Sequence, residues 1–496
     1  MIPTLLGITF LVFMLMALAP GGIGAGLQMA DGEADAEERA AQEAYLEDRY
    51  GLGDPAVVQY VRWLSRISPV KFGVRDQVNP AGDLIRPPRP IDEPPLWDWY
   101  VDDLPEADPV AFEFDADHGR VERDRIFRRA HNDYSRQRTN FVVARLSLRN
   151  ALAEYCLEVD LEHLVSGDGE VDYRLLGRTE PDRTAESWPA VQEAGERLID
   201  VYEESSQSQR RLLAVFLAQP YEEAGFTIIP GFMSVAAPDL GDSFSRGQPV
   251  VTLIRDRLPV TLMLNLIAFP IIYLIAIPSG MLAALRRRQW PDVVLGLLFV
   301  GLWSIPIVWV GVLCVGFIAN DEYLGWFPVA GISDSNAENF TFLPQFTDDG
   351  WHRGVLLDTL WHITLPILCM VYGGFAVLSK QTRAAMLDNL NADYVRTAKA
   401  KGVARRDIIL RHVFRNSLLP IITMFVTVFP AMLSGSVVIE QIFTIPGMGR
   451  LVIEAINLRD REVILAVTLI IAIVNITALL LADVLYALAD PRISFS

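Results

Sequence analysis

The chain has 496 residues, is 51% hydrophobic with a mean hydropathy of +0.27, and carries 61 acidic against 43 basic side chains, a net charge of −18. That charge excludes a broad basic footprint for nucleic-acid phosphate, and the hydrophobicity excludes an acidic disordered chain. The two properties must therefore sit in different segments: residues 20–257 hold 44 acidic and 26 basic residues, the whole excess, and the long apolar runs lie outside them.

In chain order, six apolar stretches approach the roughly 20 residues that cross a bilayer core as a helix: 2–18, 258–285, 293–319, 360–379, 418–439 and 463–488. The first is read as a retained helix, because the basic residues that precede a signal-peptide core are missing. The expectation is an all-α integral membrane protein with six transmembrane helices and a large, mainly helical extracytoplasmic insertion between helices 1 and 2. Its divisions are 1–19 (first helix), 20–257 (extracytoplasmic region), 258–490 (a core of five further helices) and 380–417 (a cytoplasmic loop).

Within 20–257, residues 79–110 are rich in proline and acid and read as extended, linker-like chain. Apolar spacing then predicts amphipathic helices over 121–164 and 189–217. No motif there carries chemistry. His118, His131 and His163 are scattered, and Asp115, Asp117, Asp160, Glu162, Asp168, Glu170 and Asp172 lack the EF-hand pattern and read as solvated surface. Cys156, Cys314 and Cys369 read as buried small hydrophobes, not as a disulfide or metal framework. No catalytic, cofactor or metal residues are expected.

Charge in the short loops sets orientation. Arg286, Arg287 and Arg288 follow the second stretch, and nine Lys or Arg against three Asp lie in 380–415, so both loops read as cytoplasmic. The loop between stretches three and four is acidic, with Arg353 as its one base, and reads as outside. Both termini then lie in the cytoplasm. Ionisable residues inside the stretches are nearly absent, which disfavours a proton- or ion-driven transporter.

The segment 380–420, KQTRAAMLDNLNADYVRTAKAKGVARRDIILRHVFRNSLLP, is basic and helix-favouring, with Gly402 breaking it near the middle. It reads as two short helices at an angle at the membrane face. Such an element can dock into a groove on a soluble partner or hold anionic lipid.

DYVRTAKAKG followed by NSLLP resembles the coupling-loop signature of ABC-importer permeases, with Arg396, Thr397 and Ala398 at the E-A-A positions, Gly402 at the glycine and Leu419-Pro420 at the end. Arginine for the acidic residue and a longer glycine-to-proline spacing are the pattern of the oligopeptide/dipeptide branch. Other stretches match that branch in order: IPTLLGITFLVF, YGLGDPAVVQYVRWL, DLGDSF with PVVTLIRDRLPVTL, LGWFPVAG, LWHITLP, IEQIFTIPGMGRL and ADPRISF. The long segment after the first stretch is similar to the B type of the branch.

The resemblance implies a permease subunit that imports a substrate delivered by an extracytoplasmic binding protein, with a second permease subunit and two cytoplasmic ATPases. Asp393, Tyr394, Arg396, Thr397, Ala398, Lys399, Ala400, Gly402, Leu419 and Pro420 would form the ATPase-coupling element. Membrane lipid is a further partner and nucleic acid is not. ATP and magnesium belong on the partner subunits, since no lysine here follows a glycine and so no Walker A loop exists. The resemblance also marks 74–238 as an acidic insertion atypical of the family. The alternatives are a membrane-anchored ligand sensor with an acidic extracytoplasmic domain and an intramembrane enzyme; the absence of a large cytoplasmic domain and of any catalytic pair weighs against them.

Overall fold

The computed structural model describes residues 2–17, 55–115, 117–166, 171–229, 232–347, 350–434 and 436–489. Residues 20–54 of the acidic region, Asp168, Glu170 and most of the ADPRISF motif lie outside the described residues. Two compact units form, one from Met1–Met29 with Leu240–Ser496 and one from Ala30–Asp239. The first unit begins with α1 (Ile2–Ala17), apolar but for Thr4 and Thr9.

In the Ala30–Asp239 unit, α2 (Ala56–Ile67) leads into strands β1 (Val70–Phe72), β2 (Gln77–Val78) and β3 (Leu84–Ile85). After α3 (Arg120–Glu158) and α4 (Trp188–Leu217) the chain returns through β4 (Glu222–Glu223), β5 (Phe226–Ile229) and β6 (Met233–Val235). Outgoing and returning chain are zipped together: Val70 pairs antiparallel with Val235, and Gln77 with Glu223. Gly225, at φ +71°, permits the close approach; a Cβ there would lie 2.0 Å from the Val235 carbonyl oxygen. Helix α3 buries Phe127, Tyr134, Phe141, Leu148 and Tyr155, a seven-residue spacing that keeps one face toward a partner helix. Helix α4 answers with Val191, Leu198, Leu212, Val215 and Phe216. The helices run antiparallel: Glu158 meets Ser187, Ser205 donates to the Gln137 carbonyl, and Asp133 faces Arg211.

Residues 79–110 differ from the linker expected. They are largely extended, with a 3-10 turn at Trp97–Trp99, but Ile91 and Trp99 are buried on the hairpin, with the Trp99 ring 6.1 Å from Trp188 and 6.5 Å from Tyr155. Proline keeps the backbone out of helix, while the aromatic side chains supply enough apolar area to hold the segment down. Tyr100 fills a notch left by Gly195, where a Cβ would come within 2.4 Å of its ring.

The first unit resumes with α5 (Val250–Leu285), α6 (Trp290–Ser304) and α7 (Ile307–Leu313), which continues into a π-helical turn, Cys314–Ala319. A hairpin of β7 (Gln345–Thr347) and β8 (Gly350–His352) precedes α8 (Gly354–Leu390). Then come α9 (Asp393–Ala400), a short turn Arg405–Asp407 running into a π-helical stretch Ile408–Phe414, α10 (Arg415–Ser434), α11 (Val437–Ile442), α12 (Met448–Asn457) and α13 (Arg461–Ala489). The centre is the α5–α8 pair. Ala268, Ala276 and Gly280 on α5 face Val371, Phe375 and Ser379 on α8, and the Ser279 and Ser379 hydroxyls lie 2.9 Å apart. Small residues let the backbones approach, as membrane helices require.

The protein is mostly helical, and three of its helices among the described residues are long and apolar enough to cross a membrane: Val250–Leu285, Gly354–Leu390 and Arg461–Val484. The continuous third stretch expected over 293–319 is instead a pair bent by 83° at Ile305-Pro306. Proline cannot donate to the helix and pushes the residue before it out of the α region; Ile305 accordingly sits at ψ 118°, its carbonyl accepting from the Tyr372 hydroxyl on α8. The fifth stretch, 418–439, is also not one helix, because α10 ends at Ser434 and α11 starts at Val437. The purely α-helical expectation needs correcting for the short strands, whose β-branched and aromatic residues, such as Phe226, Thr227, Ile228 and Ile229, favour extended backbone.

Candidate functional site: the 380–417 element

The expected loop is not separate from its span. No breaker occurs between Ser379 and Leu390, so α8 runs through Lys380 and Arg383 to Leu390. The helix breaks at Asn391-Ala392, where Ala392 adopts φ −70°, ψ 150° and caps α9. Helix α9 then buries Val395 and Ala398, three residues apart on one face. These pack with Ala284 at the end of α5, Met386 near the end of α8, and Ile408 and Val413 of the π-helical stretch. Gly402, at φ +73°, makes the turn after α9. Such a conformation strains any residue with a Cβ, although the space around it is open.

The residues picked out from the sequence fall on different sides of this element. Asp393, Tyr394, Arg396, Thr397, Lys399 and Ala400 are exposed, Ala398 is buried, and Gly402 is exposed at the turn. Arg396 lies 3.6 Å from Asp393, and the Thr397 hydroxyl donates to the Asp393 carbonyl at 3.0 Å. Leu419 and Pro420 do not close the loop; they fall inside α10, and the side chain of Leu419 lies outside the described residues.

Asn389, outside the motifs, and Ser417, within NSLLP but given no role there, tie the element together. The Tyr394 hydroxyl donates to Asn389 Oδ1 at 2.6 Å, and Asn389 Nδ2 donates to Ser417 Oγ at 3.1 Å. Fully buried Ser417 also lies within hydrogen-bond distance of the Ala385 and Val413 carbonyls. One polar chain thus joins α9, the end of α8 and the start of α10. A second clamp joins α8 to α6: the Arg383 guanidinium binds Asp292 through both carboxylate oxygens, at 2.7 and 3.0 Å, and the Arg288 backbone N–H donates to the same carboxylate. Asn389 is an ordinary polar residue in a basic amphipathic run and Ser417 a motif residue with no assigned role, so only the fold reveals their contact.

At the other end of the bundle, the IEQIFTIPGMGRL segment folds around Glu440. This residue is fully buried although it lies just past the fifth apolar stretch. Its carboxylate accepts from the Thr261 hydroxyl and the Arg450 backbone N–H, each at 2.9 Å. Gly447 leaves the space it occupies, since a Cβ there would lie 2.4 Å from the Glu440 Cδ.

Residues 276–495 match the family described as binding-protein-dependent transport system inner membrane component. The chain is 39% identical to the oligopeptide transport system permease protein AppB of Bacillus subtilis (strain 168) over 261 residues, 52% of this chain and 76% of the relative. This chain is a permease of that family. Its oligopeptide/dipeptide branch is the one expected from the sequence. The inner membrane ABC transporter permease protein YejB of Escherichia coli O157:H7 is 38% identical over 52% of this chain and 68% of its own length. The di/tripeptide transport system permease protein DppB of Pseudomonas aeruginosa (strain UCBPP-PA14) is 34% identical over 52% of this chain and 78% of its own length. The permease is thus a component of an ABC importer and an inner-membrane protein, and its relatives favour neither the sensor nor the enzyme reading.

Proposed function

We propose that this permease translocates oligopeptides, dipeptides or similar small nutrients, and that separate ATPase subunits drive it by docking on α9. The observation that carries this reading is the clamped turn: α9 is exposed on its Asp393, Arg396, Thr397 and Ala400 side and fixed on its other side to the ends of α5, α8 and α10. A push on the exposed side is transmitted into three helices through packed side chains and the Tyr394–Asn389–Ser417 chain. Closure of two ATPases, which bind ATP and magnesium, would rock those helices and expose the path to the other face, an alternating-access cycle. Asp393, Tyr394, Arg396, Thr397, Ala398, Lys399, Ala400 and Gly402 form the coupling element, and Leu419 and Pro420, which the resemblance also assigns to it, lie inside α10.

The working complex contains a second permease subunit, two ATPases and an extracytoplasmic binding protein. Six spans, formed by α1, α5, the bent α6–α7 pair, α8, α10 and α13, leave both termini and α9 in the cytoplasm. The basic Arg286–Arg288 loop supports that orientation. The acidic 74–238 segment is an extracytoplasmic insertion; the β1–β6 and β2–β4 ladders at its base support a self-contained excursion of the chain.

Co-purification tests the docking claim. Arg396→Glu combined with Gly402→Val should lose the ATPase subunits while the permease still inserts. Retention of the ATPases at wild-type stoichiometry would contradict docking on α9.

A further inference from the structure

The coupling element has a flank as well as an exposed face. A helix advances about 100° per residue, so Asp393, Arg396, Thr397 and Ala400 cluster opposite buried Val395 and Ala398, and Lys399 projects to one side. Beside it lies a cleft of ≈ 410 Å³, within the roughly 300–1,000 Å³ range of small-ligand sites. Its walls are apolar (Leu285, Leu390, Val403, Ile408 and Ile409) and its cationic lining is Lys399 and Arg405. The acidic residues nearest in sequence are engaged elsewhere, Asp393 with Arg396 at 3.6 Å and Asp407 with Arg411 at 3.4 Å. Lys399 and Arg405 are exposed and have no ion-pair partner among the described residues. Leu285 is the last residue of α5, a helix long and apolar enough to cross the membrane. On the reading that α5 crosses the membrane and 380–417 is cytoplasmic, the cleft lies at the cytoplasmic end of α5, beside the basic residues Arg286–Arg288.

We propose that this cleft binds an anionic phospholipid, its phosphate between Lys399 and Arg405 and the start of an acyl chain along Leu285, Leu390 and Ile409. Charge complementarity and continuity with the surface of α5 select a lipid over an acidic protein segment, because apolar walls beneath paired cations match an amphiphile. The two cations stand on opposite sides of the Gly402 turn, so one bound headgroup bridges α9 to the Arg405 limb and stiffens the element that the ATPases would move. The inference rests on α5 crossing the membrane and not on ATPase docking at α9, so the two fail separately.

The test uses the complete importer complex in nanodiscs of mixed phosphatidylglycerol and phosphatidylcholine, with retained lipids counted by native mass spectrometry. Wild type should retain phosphatidylglycerol over phosphatidylcholine. Arg405→Gln should lower that retention about fivefold, the effect of one cation at an anionic surface; Lys399→Gln should act likewise, and Arg405→Lys should restore it. Equal retention in Arg405→Gln and wild type would overturn the proposal. So would displacement of the lipid by inorganic phosphate, which would make this a site for free phosphate, or loss of ATPase subunits from Arg405→Gln with lipid retention unchanged, which would make it a protein interface.

Discussion

Single residues decide how closely the membrane helices approach. Gly280 of α5 is the clearest case: a Cβ there would lie 2.5 Å from the Ser379 carbonyl oxygen and 2.8 Å from Thr382 Cβ. Gly280→Val should destabilise the permease by about 1–3 kcal/mol, the usual cost of overpacking. Gly296→Ala, where nothing lies within 4 Å, should leave the melting temperature in detergent unchanged or slightly raised. Equal losses from both substitutions would remove close α5–α8 contact from the account. The Asp292–Arg383 pair is a second decisive contact, with Asp292 buried and Arg383 partly exposed. A double-mutant cycle of Asp292→Asn and Arg383→Gln should give a coupling of about 1–3 kcal/mol; additive losses would mean that the pair contributes nothing. The Gly447 notch for Glu440 has the same logic in reverse, a glycine whose missing side chain makes room for a carboxylate.

At the scale of elements, the start of α4 depends on the end of α3. Glu158 accepts from the Ser187 hydroxyl and from the backbone N–H groups of Glu186 and Ser187. The Ser187 hydroxyl, followed by these amides, holds its carboxyl below the usual range. A carboxylate with a lowered folded value stabilises the fold above its unfolded value of about 4.3 and loses that contribution as pH falls through the folded one. Amides at the start of α4 should therefore exchange faster in Glu158→Gln than in wild type at neutral pH, with the difference vanishing in acid. A difference that persists unchanged at acid pH would contradict the ionised cap.

Much of this level was legible in the sequence. The apolar spacing of α3 and α4 marked both helices, and the apolar runs marked α5, α8 and α13. What the sequence hid depended on tertiary contact. Pro306 was visible in the third stretch as a place where the chain can kink, but the size of the 83° bend was not legible from it. Trp99 and Tyr100 sat in a proline-rich run whose composition reads as linker, and only the notch at Gly195 shows where they pack. In the 380–417 element, the turn at Gly402 was legible from the sequence, and the structure places it after α9. The contact between Asn389 and Ser417 was not, because a hydrogen bond between residues 28 positions apart has no local signature.

For the whole molecule, the charge that makes the composition unusual separates from the transport machinery. The α3–α4 hairpin has its own core and its own closing strands. On the insertion reading, deleting 74–238 should reduce uptake while the permease and ATPases still assemble. Normal uptake together with unchanged assembly would show that the segment takes no part in transport. The most direct test of the central claim is ATP-driven uptake of a labelled oligopeptide into proteoliposomes holding the complete importer with its binding protein. The account predicts accumulation that requires ATP and the binding protein, is insensitive to a pH gradient, and is abolished by Arg396→Glu with Gly402→Val. Accumulation driven by a pH gradient without ATP, or undiminished in that variant, would contradict it.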